Sequence, residues 1–209
     1  DKHIREKMVR VIVLAVPGAG KTTIFKKLSE LKPNVKILNF GDLMFKEASS
    51  RFGIKSRDEM RSKIPFDSYR ELQDLAAESI SREEGTLIVD THAAIKTPYG
   101  YYPGLPFSVV TKMKPQSIIF LEYRPEDIAA RRAKDEAAGV RTRGTESYEE
   151  IEEHQMIALN YAVAASNAAS CYFCRFSFRY PEAYPYQHVH DAAEMIKKHI
   201  ELLETMYNR

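Results

Sequence analysis

The run Ala15-Val16-Pro17-Gly18-Ala19-Gly20-Lys21-Thr22, continued by Thr23, concentrates residues suited to holding an anion. It follows the apolar stretch Val9-Arg10-Val11-Ile12-Val13-Leu14 and precedes a helical pattern. A buried strand, a glycine-rich turn and a helix N-terminus together aim backbone N–H groups and the positive end of a helix dipole at one point, where a polyphosphate can sit. Gly18 and Gly20 let the backbone approach the phosphates. Lys21 is expected to reach their outer oxygens and the Thr22 hydroxyl a Mg²⁺. The usual pattern GxxxxGK[ST] opens on glycine; Ala15 stands there, which demands ordinary φ and ψ and adds only a methyl group. The flanking strand and helix supply the context that such a loop requires.

A phosphate-binding loop alone serves kinases, GTPases and motor ATPases alike. Arginines separate these, because moving a phosphoryl group between two anions requires several convergent cations around the charge that spreads over its oxygens. Arg57 and Arg61, four apart and so on one helix face, are expected to grip an acceptor phosphate, and Arg132, Arg141 and Arg143 to close over the donor. The plainer reading makes each a solvated surface residue. Asp90 ends the apolar run Leu87-Ile88-Val89-Asp90, where a carboxylate would hold Mg²⁺ directly or through a water; the alternative is a cap. His92 reads as a packing histidine or a catalytic one. Asp42 is the one candidate base for an alcohol acceptor, and Gly41-Asp42 before a helix also reads as an N-cap. A phosphate acceptor is already an anion and needs only positioning.

Cys171 and Cys174, followed by His188 and His190, raise a zinc site. The His-Val-His spacing is too short for two ligands on one helix and the cysteines lie in a strand-like run, so two free thiols are expected. The 209 residues fit one domain, and 44% hydrophobic residues suffice for its core. No apolar run reaches membrane-span length and the first residues lack the apolar core of a secretion signal, so a cytoplasmic protein without a membrane partner is expected. The net charge is only +2, which suits a small anion better than nucleic acid.

The elements that must position these groups alternate strand with helix. Strands are expected over Met8–Val16, Val35–Asn39, Leu87–Asp90, Ser117–Glu122 and Cys171–Phe178. Helices are expected over Lys21–Leu31, from Gly41-Asp42 to Gly53, over Arg57–Lys63, from Pro65 past Ile80, over Pro125–Glu136, over Ser147–Ala168 with a Ser147/Glu150 capping box, and over Val189–Tyr207. The stretch Lys96–Pro106, with its prolines and glycines, reads as a long working loop, and Ala137–Thr145 as a mobile lid. The aromatic segment Tyr172 to Tyr186 reads as strand and packing rather than a base-stacking surface. The alternation implies an α/β fold with a parallel, helix-covered sheet.

In this order, Ala15–Thr23, Asn39-Phe40-Gly41-Asp42-Leu43-Met44, Arg57-Asp58-Glu59-Met60-Arg61, Val89-Asp90-Thr91-His92, Ile95–Pro98 through Pro103-Gly104-Leu105-Pro106, Arg131-Arg132, Arg141-Thr142-Arg143 and Glu153-His154-Gln155 resemble the archaeal-type adenylate kinases. The resemblance covers most of the chain to about residue 169. It implies ATP + AMP ⇌ 2 ADP with Mg²⁺ on a central five-stranded parallel sheet. It further implies a single P-loop kinase domain over 1–209, with an AMP-binding helical arm over about 40–85 and a short lid over about 132–147. By that likeness residues Ala15 to Thr23 cradle ATP; Gly41, Arg57, Arg61, Lys96 and Tyr101 bind AMP; Arg132, Arg141 and Arg143 meet ATP and the transferring phosphate. A homo-oligomer, a trimer, is also implied. Two other classes stay open: a P-loop kinase of a small hydroxyl metabolite, for which Asp42 would be the base, and a P-loop ATPase acting as a binding switch, as in ribosome assembly.

Overall fold

The computed structural model describes residues 9–139 and 145–208. Five parallel strands form the centre: β1 (Arg10–Leu14), β2 (Lys36–Asn39), β3 (Leu87–Thr91), β6 (Ser117–Tyr123) and β7 (Tyr172–Phe178), in the order β2-β3-β1-β6-β7. β1 and β6 are buried along their whole length, because helices cover both faces of a parallel sheet and leave no face for polar alternation. Arg10 is tolerated in β1 because its guanidinium donates to the carbonyls of Met113, Ser81 and Glu83 at 2.8–3.0 Å. β1 pairs with β3 in the register Val13↔Asp90 and with β6 in the register Val13↔Ile119.

The helices are α1 (Lys21–Leu31), α2 (Phe40–Phe52), α3 (Arg57–Lys63), α4 (Phe66–Ser81), α5 (Phe107–Met113), α6 (Pro125–Ala137), α7 (Tyr148–Ala169) and α8 (Gln187–Glu204), the last followed by a 3₁₀ turn, Thr205–Asn208. Local chemistry marks their ends. Ser56 and Ser147 accept the N–H of Glu59 and Glu150, and Gly53 closes α2 in the left-handed conformation with its N–H on the Ser49 carbonyl. Asp42 does not cap α2. Asn39 does, its Oδ1 accepting the Asp42 N–H at 3.0 Å, which leaves Asp42 as an acid in the first turn, where the helix dipole favours it.

The stretch Lys96–Pro106 is not loop. β4 (Ala94–Thr97) and β5 (Gly100–Pro103) form an antiparallel ribbon with Lys96 opposite Tyr101 and Thr97 opposite Gly100. The prolines fall where a strand tolerates them: Pro98 in the two-residue turn, Pro103 at the end of a two-stranded ribbon whose outer edges need no N–H, and Pro106 just before α5. Thr97 closes the turn, its hydroxyl donating to the Gly100 carbonyl at 2.6 Å. α5 has no counterpart among the expected helices; at seven residues, with Val109, Val110 and Met113 buried, it is too short to show a helical period.

Connections leaving β1 and β3 run to opposite sides of the sheet, so a crevice opens beyond their carboxyl ends, the usual place for a ligand in such sheets. Residues 140–144, which carry Arg141, Arg143 and the middle of the expected lid, lie outside the described residues. Among the described residues no helix is long and apolar enough to cross a membrane.

Candidate active site

The loop from Ala15 to Gly20 joins β1 to α1 at that crevice. Gly18 and Gly20 take φ of 96° and 79°, the left-handed region that favours glycine, whereas Ala15 does not. The loop's substitution of alanine for the usual first glycine therefore costs no strain. Ala15, Val16 and Ala19 are buried, and Thr22 and Thr23 are exposed in the first turn of α1. Lys21, at the first position of that helix, turns its ammonium to the end of β3, donating to the Thr91 carbonyl at 2.5 Å and pairing with Asp90 Oδ1. His92 holds the start of the loop: its Nδ1 donates to the Ala15 carbonyl at 2.8 Å. Burial, reinforced by the charge of Lys21, pushes the imidazole well below its ordinary pKa, so it is neutral.

From Asp90 a chain of polar contacts leads to the helical arm. Asn39 Nδ2 donates to Asp90 Oδ2 at 3.1 Å, and Asn39 Oδ1 accepts from Arg57 at 2.7 Å. The Arg57 guanidinium lies against Gly41, where a Cβ would stand 1.7 Å from Nη2, and its buried Nε has no hydrogen-bond partner. Arg61 is exposed on the same helix. Burial raises the Tyr69 phenol against the opposing charges of Arg61 and Arg57 on the neighbouring helix. Arg61 also bears on His92.

The third wall carries Arg132. Its Nε donates to the Pro17 carbonyl at 2.9 Å, and a Cβ at Gly18 would meet its side chain at 2.8 Å, so the guanidinium lies directly on the phosphate loop. Arg131, its neighbour, turns the other way: it sits 4.7 Å over the Tyr123 ring and donates to His188 Nδ1 at 2.9 Å, while His188 Nε2 donates to the Tyr180 carbonyl. The inner aromatics of the tail pack in this way, Phe178 stacking on Tyr123, whereas Tyr184 and Tyr186 stay exposed.

Lys96 and Tyr101 lie on the α7 side of the hairpin, apart from Arg57 and Arg61. Lys96 pairs with Glu146 at 3.0 Å and Glu150 at 3.5 Å, and Tyr101 packs on His154. Tyr102 points to the arm, where its ring meets Tyr69 edge-on. Thus Lys21, Asp90, Arg57, Gly41 and Arg132 converge, Arg61 joins them from the surface, and Lys96 and Tyr101 do not. Glu153-His154-Gln155 fastens α7: His154 Nε2 donates to the Ala94 carbonyl, and the Gln155 amide bonds both the N–H and the carbonyl of Tyr123. Cys171 and Cys174 are free thiols, and burial pushes Cys171 up to about 11.

Two residues of this site escape the motif reading, Asn39 and Glu146. A polar residue that both ends a strand and caps the next helix was the available sign for Asn39; nothing local marks Glu146.

The family described as an AAA domain matches residues 14–152. An adenylate kinase of Pyrobaculum aerophilum is 48% identical over 90% of this chain and 94% of its own length. One of Pyrococcus furiosus is 44% identical over 76% and 79%, and one of Methanocaldococcus jannaschii 40% over 73% and 83%. Among solved structures, shikimate kinase from Bacteroides thetaiotaomicron superposes with a TM-score of 0.56 at 18% identity, covering 92% of this chain and 98% of its own, and that of Acinetobacter baumannii with 0.55 at 15%, covering 93% and 94%. The latter two show the P-loop kinase fold alone. With its phosphate loop, its five-stranded parallel sheet and this identity over nine-tenths of its length, the chain belongs to the adenylate kinase family of P-loop kinases.

Proposed function

We propose that the chain catalyses reversible transfer of a phosphoryl group from ATP to AMP, giving two ADP. The observation that carries this reading is the continuous contact line Lys21–Asp90–Asn39–Arg57, which joins the phosphate loop to a cation on the arm across one crevice. One end suits a donor triphosphate and the other an acceptor phosphate. Arg57 and Arg61 would hold the acceptor, Arg57 with a guanidinium whose Nε lacks a hydrogen-bond partner. Lys21 and Arg132 would neutralise charge on the moving phosphoryl group; Arg141 and Arg143 are carried as partners from the likeness alone. Lys96 and Tyr101 remain weaker acceptor-side candidates.

Thr22 and Asp90 would hold Mg²⁺, which when bound draws charge off the phosphate oxygens. Both are hard oxygen donors beside Lys21, and among the described residues no three His, Cys, Asp or Glu side chains gather for a metal. Protein donors would thus be few and nucleotide oxygens would complete the shell, as Mg²⁺ prefers. The chain would form one domain, with an arm over about 40–85 and a lid over about 132–147. A cytoplasmic homo-oligomer, trimeric by the likeness, that binds ATP, AMP and ADP and neither nucleic acid nor membrane completes the reading. The exposed position of Asp42, in the first turn of α2, lends nothing to a hydroxyl kinase that would need it as base.

The test is Lys21→Met. AMP-dependent ADP formation should fall by about a hundred-fold or more while the circular dichroism shows the fold retained, the melting temperature dropping only as far as the loss of Asp90's partner requires. Retained turnover removes Lys21 from the reaction.

A further inference from the structure

Among the described contacts, Glu146 joins a cation of the crevice, Arg132, to a cation on the α7 face of the hairpin, Lys96. Its Oε1 accepts from Arg132 Nη1 at 3.0 Å and its Oε2 from Lys96 Nζ at 3.0 Å. Arg132 is 7% exposed and fixed at its other end to the Pro17 carbonyl, so it belongs to the phosphate loop. Lys96 stands on β4, and β4 is continuous through Ala93 and His92 with β3. The Gly104 N–H on the Ala93 carbonyl, at 2.9 Å, locks the far end of the hairpin to the same point. One side chain therefore spans from the loop that would hold the donor to the hairpin beside the acceptor arm. Glu150 touches Lys96 at 3.5 Å but among the described contacts does not reach Arg132, so it can balance the lysine's charge without tying the hairpin to the phosphate loop.

The electrostatics favour the bridge over its parts. Burial works against the Glu146 carboxylate, but the Lys96 ammonium and the Arg132 guanidinium outweigh it and hold its pKa below the usual range. Two cations that each give a charge-assisted bond to one carboxylate are held at a defined separation. A phosphate on the loop would compete with Glu146 for Arg132. Any shift of Glu146 is then felt at Lys96, because both bonds are made by one rigid carboxylate group.

We propose that Glu146 is a positioning residue that ties Arg132 of the phosphate loop to Lys96 of the hairpin and so couples occupation of the donor side to occupation of the acceptor side. This rests on the adenylate kinase reading above. The coupling is thermodynamic: whatever the donor does to acceptor affinity, the acceptor does to donor affinity by the same factor.

The test measures AMP binding by calorimetry with and without a non-hydrolysable ATP analogue, for wild type, Glu146→Gln and Glu150→Gln, beside steady-state kinetics. A glutamine can accept from one cation but turns its amide N–H₂ toward the other, so the bridge is cut while size is kept. Wild type should show AMP affinity changed by about five-fold or more when the analogue is present. Glu146→Gln should bring that ratio close to one, moving the KM for AMP at saturating ATP by a similar factor while kcat changes less. Glu150→Gln should keep the wild-type ratio within about two-fold, which separates the bridge from a general loss of negative charge near Lys96. Lys96→Met, cutting the bridge from its other end, should lower the ratio as Glu146→Gln does even if the glutamine variant is unstable.

A wild-type enzyme that needs AMP, with the ratio unchanged in Glu146→Gln and Lys96→Met, overturns the tether and leaves the reaction intact. A wild-type ratio of one overturns it as well. A wild-type chain that releases ADP without AMP overturns the parent reading and the tether together.

Discussion

Gly41 has no room for a side chain, because the Arg57 guanidinium fills the place where a Cβ would stand. The obstruction is the tip of a flexible arginine rather than backbone, so a methyl group there moves Arg57 and leaves the helix. Gly41→Ala should therefore raise the KM for AMP by about ten-fold, the worth of one charge-assisted hydrogen bond, with the KM for ATP and the melting temperature little changed. Equal shifts for both nucleotides would take Arg57 off the acceptor side. Residue chemistry of this kind was partly legible in the sequence. The spacing Gly-x-Gly-Lys-Thr locates Lys21 unaided, and a four-residue interval puts Arg57 and Arg61 on one face. Asp42 was misread as a cap because the chain enters the helix earlier than Gly41, and Asn39 takes that role. Lys96 has the right type and neighbourhood for an acceptor cation, but Glu146 and Glu150 hold it on the opposite face of the hairpin. A strand's two faces differ by a single residue in sequence, so Tyr101 and Tyr102 could be told apart only once the partner helices were in place.

At the scale of elements, the β4–β5 hairpin divides the crevice, with the arm on one side and α7 on the other. Its base is a close backbone contact: a Cβ at Gly104 would stand 1.8 Å from the His92 carbonyl oxygen. No side chain can swing aside there. Gly104→Ala should cost about 1–3 kcal/mol of stability, read by denaturant unfolding, and should lower activity with both nucleotides, since His92 also holds Ala15 of the phosphate loop. A variant as stable as wild type would show that the hairpin base can open freely. The hairpin escaped the sequence because proline and glycine counts argue against regular structure, and only their positions, at the turn and the strand ends, permit it. The central strands were the most legible, since continuous apolar runs such as Val11–Leu14 and Ile118–Leu121 occur where both faces of a sheet are covered, whereas the edge strands β2 and β7 are only partly buried. α5 was not, because one buried stripe on two turns leaves no period to read.

Across the molecule, three of the described histidines are tuned by burial. His92, His154 and His199 all titrate below their ordinary value, desolvation being the first cause in each. Their folded pKa values are depressed, so in the native state they stay neutral while the unfolded chain takes up protons below about pH 6.5. Their contribution to stability is thus fully present above that pH and is lost as pH falls toward their folded values, at no more than about 1.4 kcal/mol per pH unit for each. Unfolding free energy measured between pH 7 and 5 should decline, and His92→Asn should flatten the decline; an unchanged slope would mean that His92 takes up a proton in the native state. The shape of the molecule follows from where the chain reverses: β1 and β3 lie side by side with connections leaving in opposite directions, and the phosphate loop, Asp90, the arm and the hairpin all start at that point. On the proposed reaction this crevice joins two nucleotides. That reaction is tested most directly by incubating the chain with Mg·ATP and, in turn, AMP, GMP, CMP, UMP, a small hydroxy acid and no acceptor, and resolving the products by chromatography. Rapid ADP formation that requires AMP and yields two ADP for each AMP consumed is the predicted result; ADP release indifferent to every acceptor, or transfer to the hydroxyl compound, would contradict it.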